Sequence, residues 1–171
     1  MPNSETFTMP PVYDFVKKYM GEAETSIDPF SRNKRWATYT NDLDPNTEAE
    51  YHLECEDFLQ KLIDMGVTAD LIILDPPYSP RQVKECYDNI GIKMAQEDAM
   101  GGAARKRRRA LINKLTRQNG IVLTFGWDTN GMGGNEWAIE EIMLVAHGSD
   151  HNDTICMAER RVIEQRQLAF A

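Results

Sequence analysis

Cysteine is scarce in this 171-residue sequence, and long apolar runs are missing from it. The three cysteines, Cys55, Cys86 and Cys156, are widely spaced and odd in number. That pattern argues against a disulfide framework or a CxxC metal site and favours a reducing cytoplasm. No run approaches the roughly 18 apolar residues that cross a bilayer. The N-terminus has no basic segment followed by an apolar one, so we expect neither a membrane span nor a secretory signal.

A surplus of positive charge is also missing. The sequence has 19 Lys and Arg against 27 Asp and Glu, a formal net charge of −8. General polyanion binders are normally basic, so this balance counts against charge-driven binding by the chain as a whole. Against that background, residues 105–109 (RKRRR) form one dense basic run.

Short apolar runs alternate with helix-like stretches, which predicts an α/β sheet in a single domain over residues 1–171. A C-terminal antiparallel hairpin is expected where the polar turn SDHN joins 140–148 to 153–162. Residues 79–104 are less regular and are expected to be a mobile, substrate-facing segment. The helices are predicted at 10–20, within 46–66 and at 103–120, and the strands at 25–30, 36–43, 70–78 and 121–127.

The stretch LIILDPPYSP (71–80) directs a buried-looking strand into a carboxylate, two prolines and a tyrosine. Ligands of open parallel sheets bind beyond the carboxyl ends of the strands, so Asp75 and Tyr78 are placed for chemistry. Pro76 and Pro77 lack a backbone N–H and fix their φ angles, which aims the Asp75 side chain and the Pro76 carbonyl. Two rigid acceptors followed by an aromatic face suit an exocyclic amine on a planar ring.

Asp75-Pro76-Pro77-Tyr78 resembles the (D/N/S)PP(Y/F/W) motif of amino-methyltransferases that use S-adenosylmethionine. The resemblance implies a Rossmann-like class I methyltransferase sheet, mostly parallel, with these four residues as the catalytic motif. It also implies S-adenosylmethionine as the cofactor and adenine N6 or cytosine N4 as the target. An ordinary Asp-Pro-Pro turn is the alternative for the four residues.

Upstream segments resemble the cofactor motifs of the same family and come in the family's order. SIDPFSRN (26–33) is similar to DPFxGxG: Asp28, Pro29 and Phe30 match, whereas Ser31, Arg32 and Asn33 stand where glycines are usual. Arg32 or Asn33 is a candidate to bind the cofactor's carboxylate instead. The alternative is an ordinary strand-to-turn boundary.

Two acidic residues complete the predicted cofactor site. Asp42 follows the second strand, where an acid holds ribose hydroxyls in related dinucleotide folds. HLECEDFL (52–59) resembles the family's third segment, which gives Glu54 the role of meeting the cofactor's adenine amine. A merely negative first helical turn explains Glu54 equally well.

Nucleic-acid contacts are predicted from the basic residues. As phosphate ligands they would give sequence-independent, salt-sensitive affinity, whereas a solvated helix face is the alternative for the run. Just beyond the catalytic motif, Arg81 and Lys84 are further candidates. The members of the run are Arg105, Lys106, Arg107, Arg108 and Arg109.

Two loops have more than one interpretation. FGWDTNGMGG (125–134) predicts either a wall near the base or cofactor, or a surface loop with one packing Trp127. The polar residues of 146–153 are His147, Asp150, His151 and Asp153, and we attribute their crowding to a hairpin turn rather than to a metal site.

The function expected from these features is methyl transfer from S-adenosylmethionine to the N6 amine of adenine in DNA, with the base flipped out of the duplex. The small size resembles orphan or phage-borne modification enzymes, in the cytoplasm of a bacterium or an infected host. No separate recognition domain is evident, so a homo-oligomer or a partner protein is a candidate source of target recognition. The alternatives are a catalytically silent methyltransferase-fold subunit, and an enzyme acting on RNA, cytosine N4 or a protein side-chain amide.

Overall fold

The computed structural model describes residues 6–93, 102–148 and 152–162. A six-stranded sheet of order β2-β1-β3-β4-β6-β5 organises it. A short 3₁₀ turn (Thr6–Thr8) precedes four helices: α1 (Pro10–Met20), α2 (Cys55–Asp64), α3 (Pro80–Asn89) and α4 (Gly102–Leu115). The strands are β1 (Ser26–Asp28), β2 (Tyr39–Thr40), β3 (Ala69–Leu74), β4 (Thr116–Gly126), β5 (Trp137–Val145) and β6 (Thr154–Arg161).

In the sheet that the structure describes, β1 to β5 run in one direction and β6 runs opposite to them. β1 pairs in parallel with β2 and β3, and β3 pairs in parallel with β4. β6 lies antiparallel between β4 and β5. The predicted mostly parallel sheet with a C-terminal antiparallel hairpin is therefore confirmed.

β3 is the central strand because helices cover both of its faces. Leu71 and Ile73 pack on the side of α1, and Ile72 packs on the side of α2 and α4. A strand buried on both faces reads as a continuous apolar run, which is the pattern of LIIL in the sequence. The strand leads directly to Asp75.

α1 forms as its spacing predicts. Pro10 suits the first helical position, where its missing N–H has no partner to lose. The four apolar residues at helical spacing are all buried: Val12, Phe15, Val16 and Tyr19. α1 therefore closes one face of the sheet.

The second strand is shorter than its composition predicts. Of the predicted 36–43, only Tyr39–Thr40 forms β2, opposite Ile27 and Asp28. β1 ends at Asp28, and the following Pro29 has no N–H to offer a ladder, so its neighbour cannot extend further as a strand.

The end of α4 and the start of β4 also differ from prediction. The helix was expected to end at Asn119-Gly120, but α4 ends at Leu115 and β4 begins at Thr116. Arg161 of β6 donates to the carbonyls of Asn113 and Thr116, which satisfies the end of the helix from a distant strand.

Residues 80–89 form α3, although the sequence predicted no regular element there. Ser79 caps this helix, since its hydroxyl accepts from the Gln82 N–H at 3.3 Å. Residues 94–101, within the predicted substrate-facing segment, lie outside the described residues. Within the described ranges, no helix has both the length and the apolar character needed to cross a membrane.

Candidate active site

The carboxyl ends of β1, β2, β3 and β4 meet along one edge of the sheet, as parallel strands require. This edge brings together Asp28, the last residue of β1, with Asp42 after β2, Asp75 after β3 and Trp127 after β4. Residues far apart in the sequence therefore share one site.

Asp75 and Tyr78 are held in a fixed arrangement. The Tyr78 hydroxyl donates to Asp75 Oδ1, and the Tyr78 N–H donates to Gln82 Oε1 at 2.7 Å. The Tyr78 ring meets Trp127 edge-on, with 5.7 Å between centroids. The first turn of α3 therefore fixes the motif through Gln82, which sequence reasoning missed. Ser79-Pro80, a cap followed by proline, was the available signal for that helix.

A cavity of about 220 Å³ opens beside the motif. Leu74, Pro76, Pro77 and Tyr78 line one side of it, and the end of β4 with Trp127 lines another. Typical ligand pockets hold roughly 300–1,000 Å³, so this one suits a single planar ring system rather than a whole nucleotide cofactor.

The basic run of α4 divides between this cavity and other surfaces. Arg105, Arg108 and Arg109 line the cavity. Arg105 pairs with Asp128 at 3.3 Å, so the wall is not purely cationic. Arg107 instead pairs with Glu56 of α2 at 2.7 Å.

The remaining predicted phosphate ligands lie away from the cavity. Lys106 is exposed on α4. Arg81 and Lys84 are exposed on α3, where Arg81 pairs with Glu85 at 2.8 Å and Lys84 pairs with Asp88. Their contact with nucleic acid stays a prediction.

Asp28 is fully buried at the end of β1. Its Oδ1 accepts from the Phe30 N–H at 3.0 Å, and its Oδ2 accepts from Trp36 Nε1 at 3.4 Å. Burial, together with the nearby charges of Asp75 and Asp42, raises the pKa of Asp28 to about 7 against the lowering effect of these two hydrogen bonds. Two other carboxylates therefore act on Asp28 at this edge, and a positive charge placed there would favour its ionised form.

The loop after Asp28 folds around Asn41, which sequence reasoning missed. The Asn41 side chain is buried, and its Nδ2 donates to the carbonyls of Pro29 at 3.1 Å and Leu53 at 3.0 Å. Its Oδ1 accepts from the Leu53 N–H, and its backbone carbonyl accepts from the Ser31 N–H. The only signal in the sequence was a polar residue directly at a strand end.

Arg32 adopts the backbone conformation that glycine favours. Its φ is +50°, and it occupies the first glycine position of DPFxGxG when counted from Asp28. Its N–H donates to Asp42 Oδ2 at 3.1 Å. Asn33 turns away to accept from the Glu48 N–H, so the loop keeps a glycine-like path without glycine.

Asp42 and Glu54 line the outer part of the same edge. Asp42 is partly buried, and this burial raises its pKa against donors that include the Asp44 N–H. Glu54 is the N-cap residue of α2, and the buried Tyr87 hydroxyl lies 2.8 Å from both of its carboxylate oxygens. α3 therefore reaches the edge through Tyr87, another residue that the sequence did not single out.

The polar crowding at the hairpin falls partly outside the described residues, which exclude Asp150 and His151. His147 Nε2 lies 2.8 Å from the Thr154 hydroxyl, and the backbone N–H of His147 donates to Asp153 Oδ1. Among the described residues, no three metal-ligating side chains come together.

No protein-family model matches the chain, and a search of curated proteins finds no match. Several solved structures are similar. The candidate methyltransferase SMU.776, crystallised with SAH, has a TM-score of 0.57 at 12% identity, with 85% of this chain and 48% of that one covered. The candidate methyltransferase yhhF from Escherichia coli has a TM-score of 0.58 at 11% identity and covers 95% and 90%. The N-methyltransferase NodS from Bradyrhizobium japonicum has a TM-score of 0.56 at 8% identity and covers 95% and 100%.

This chain spans about half the length of SMU.776. At these identities the likeness speaks for the fold, which is the class I methyltransferase fold.

Proposed function

We propose that this protein transfers a methyl group from S-adenosylmethionine to the exocyclic N6 amine of adenine in DNA. The observation that carries the proposal is the Asp75-to-Tyr78 segment. It stands at the carboxyl end of the central strand, and its Pro76, Pro77 and Tyr78 line a cavity suited to one planar ring. Its Asp75 carboxylate and Pro76 carbonyl are acceptors for the two N–H groups of an amine.

S-adenosylmethionine fits the acidic edge beside this cavity. The similar protein SMU.776 was crystallised with SAH, the product form of that cofactor. Asp42 and Asp75 both repel a negative charge on Asp28, and the positive charges of a cofactor beside Asp28 and Asp42 would offset part of that repulsion. Asp42 would hold the ribose hydroxyls and Glu54 the adenine amine. When bound, the cofactor supplies an electrophilic methyl group.

The chain's own residues orient and activate the amine. Hydrogen bonds to Asp75 and the Pro76 carbonyl draw the nitrogen lone pair out of the ring, so that it can attack. Much of the acceleration would come from this alignment. The Tyr78 hydroxyl donates to Asp75 Oδ1, and a carboxylate accepts several hydrogen bonds, so Asp75 can hold Tyr78 and the amine together. The amine's proton then passes to Asp75 or to water.

The arginines and aromatic residues around the cavity support a nucleic acid as the substrate. Three arginines of α4 line the cavity in a chain whose net charge is −8, so positive charge is concentrated where a phosphate next to the target base would lie. Tyr78 and Trp127 present aromatic surface to the base. Stacking is worth about 1–3 kcal/mol per base, which offsets much of the cost of extruding the base from a duplex.

Mass spectrometry of nucleosides tests the proposal directly. DNA and RNA from cells that express the protein should show N6-methyladenine in DNA above the level in cells without it. N4-methylcytosine or methylated RNA would keep the chemistry and correct the substrate. No modified nucleoside, together with no calorimetric binding of S-adenosylmethionine, would favour the catalytically silent subunit.

A matched pair of variants ties the activity to Asp75. Asp75→Ala should abolish methyl transfer and leave cofactor affinity within about threefold, because the residue acts on the target amine. Asp64→Ala removes a carboxylate that is exposed on α2 before β3 begins, and should leave both quantities unchanged. A large loss of cofactor affinity in Asp75→Ala would mean that the catalytic edge is misassigned.

A further inference from the structure

Glu159 is a buried carboxylate that the proposed reaction does not use. It lies on β6 and is only 3% exposed. Burial raises the pKa of Glu159, and the Met132 and Gly133 N–H groups and the Arg109 charge oppose that rise. The Met132 N–H donates to Glu159 Oε2 at 2.7 Å. A buried carboxyl group with such partners needs a structural reason.

The partners of Glu159 belong to a loop that wraps around its carboxylate. Gly131 approaches so closely that a Cβ there would lie 2.2 Å from Glu159 Oε2, and its φ is +40°. A larger residue at 131 would displace the Glu159 carboxylate from its present position. Successive N–H groups in such a turn form a nest for an anion, and here the anion is a side chain of the sheet.

The same loop forms a wall of the candidate target cavity. Trp127, Asp128 and Gly131 line that cavity. From the opposite side, Arg109 Nη2 donates to the Asn130 carbonyl at 2.8 Å. The loop is therefore fastened between α4 and β6, and Trp127 stands at its start.

We infer that Glu159 is a positioning residue: its carboxylate fixes the 127–133 loop so that Trp127 and Tyr78 form the walls that receive the target base. The inference rests on the proposed function and deepens it, because it adds a residue behind the cavity to those inside it. Trp127 is 39% exposed, so packing against neighbouring side chains holds it only in part. The position of its ring therefore depends on the conformation of the loop.

The first experiment observes the wall without any reaction. Protein labelled with 5-fluorotryptophan gives one ¹⁹F resonance for each of its three tryptophans, and Trp127→Phe assigns the resonance of residue 127. Glu159→Gln keeps the shape but loses one acceptor for the loop and the negative charge facing Arg109. The Trp127 resonance should shift or broaden. Glu136→Gln makes the same chemical change at an exposed residue near the loop and should leave that resonance in place.

The second experiment separates target binding from cofactor binding. Glu159→Gln should raise KM for a DNA substrate about tenfold, since a hydrogen bond to a charged group is worth roughly one decade in an equilibrium constant. Cofactor affinity by calorimetry should stay within about twofold of the unmodified protein. A merely structural role would change both or neither.

Two glycine variants keep the inference testable if Glu159→Gln folds poorly. Gly131→Ala forces a side chain against the carboxylate, whereas Gly134→Ala, at φ +86°, meets nothing within 4 Å. Both carry left-handed strain, so their difference isolates the contact with Glu159. Gly131→Ala alone should move the Trp127 resonance and raise KM.

An unmoved Trp127 resonance in both Glu159→Gln and Gly131→Ala would overturn the inference. So would equal effects of the Gly131 and Gly134 variants. If no methyl transfer to nucleic acid is found in any variant, the resonance still reports whether Glu159 fixes the loop. Failure of the proposed function and failure of this inference are thereby distinguished.

Discussion

Replacing Asp28 by asparagine should stabilise the protein at neutral and alkaline pH. Burial raises the pKa of Asp28 to about 7 in the folded protein, whereas an aspartate in an unfolded chain titrates near about 3.9. Between these values the folded state holds a proton that the unfolded state has released. Stability is therefore lost as pH rises from the unfolded value through the folded one, and the loss is complete above about pH 7.

The size of the effect follows from the difference between the two pKa values. About three pH units at about 1.4 kcal/mol each give roughly 4 kcal/mol lost at about pH 8. Asparagine keeps an acceptor for the Phe30 N–H but cannot accept from Trp36, which costs about 1 kcal/mol. The variant should therefore be more stable by about 3 kcal/mol at about pH 8 and by only about 0.5 kcal/mol at about pH 5.

Urea unfolding at a series of pH values measures this difference. Asp64→Asn is the matched control, because Asp64 is exposed and its replacement should give a small difference that does not change with pH. A pH-independent difference for Asp28→Asn would refute the reasoning, since it would mean that Asp28 is ionised in the folded protein throughout the range.

Three further outcomes are expected. Arg32→Gly should be more stable to urea than Arg32→Ala by about 1 kcal/mol, because residue 32 has a φ of +50°; the reverse order would contradict that conformation. Asn41→Ala should lower the free energy of unfolding by about 3 kcal/mol, because the amide makes three buried hydrogen bonds with Pro29 and Leu53. A loss below about 1 kcal/mol would mean that these hydrogen bonds do not stabilise the loop. Arg108→Gln should lower the slope of log affinity for DNA against log salt concentration by about 1. Arg107→Gln should leave that slope unchanged, because Arg107 pairs with Glu56. Equal slopes for the two variants would mean that Arg108 does not bind a phosphate.

The parts of the fold that sequence predicts well depend on local chemistry. α1 follows from Pro10 and helical spacing, and β3 follows from an apolar run too short for a helix. The end of the strand at the Asp75 motif follows because Pro76 and Pro77 cannot donate to the ladder of a central strand. These features can be predicted from residues that are neighbours in the sequence.

The parts that escaped prediction depend on residues distant in the chain. The end of α4 is set by Arg161, more than forty positions away, so no local stop signal marks it. Gly131 looks like ordinary turn glycine until Glu159 is found against it. Tyr87 reaches Glu54 only because α3 folds back over the sheet edge. Such pairings carry no periodicity and no motif.

The departure from the glycine pattern after Asp28 shows how these two kinds of information combine. Glycine is usual there because the backbone must take a left-handed turn and stay free of side-chain bulk. Here Arg32 takes that turn, and the strain, of the order of 1–2 kcal/mol, must be offset by neighbours. Asn41 supplies the offset, because its buried amide binds the loop at Pro29 and the next segment at Leu53. The loop's conformation is thus encoded at residue 41 rather than by glycine at residue 32, so a missing glycine does not by itself argue for a silent fold.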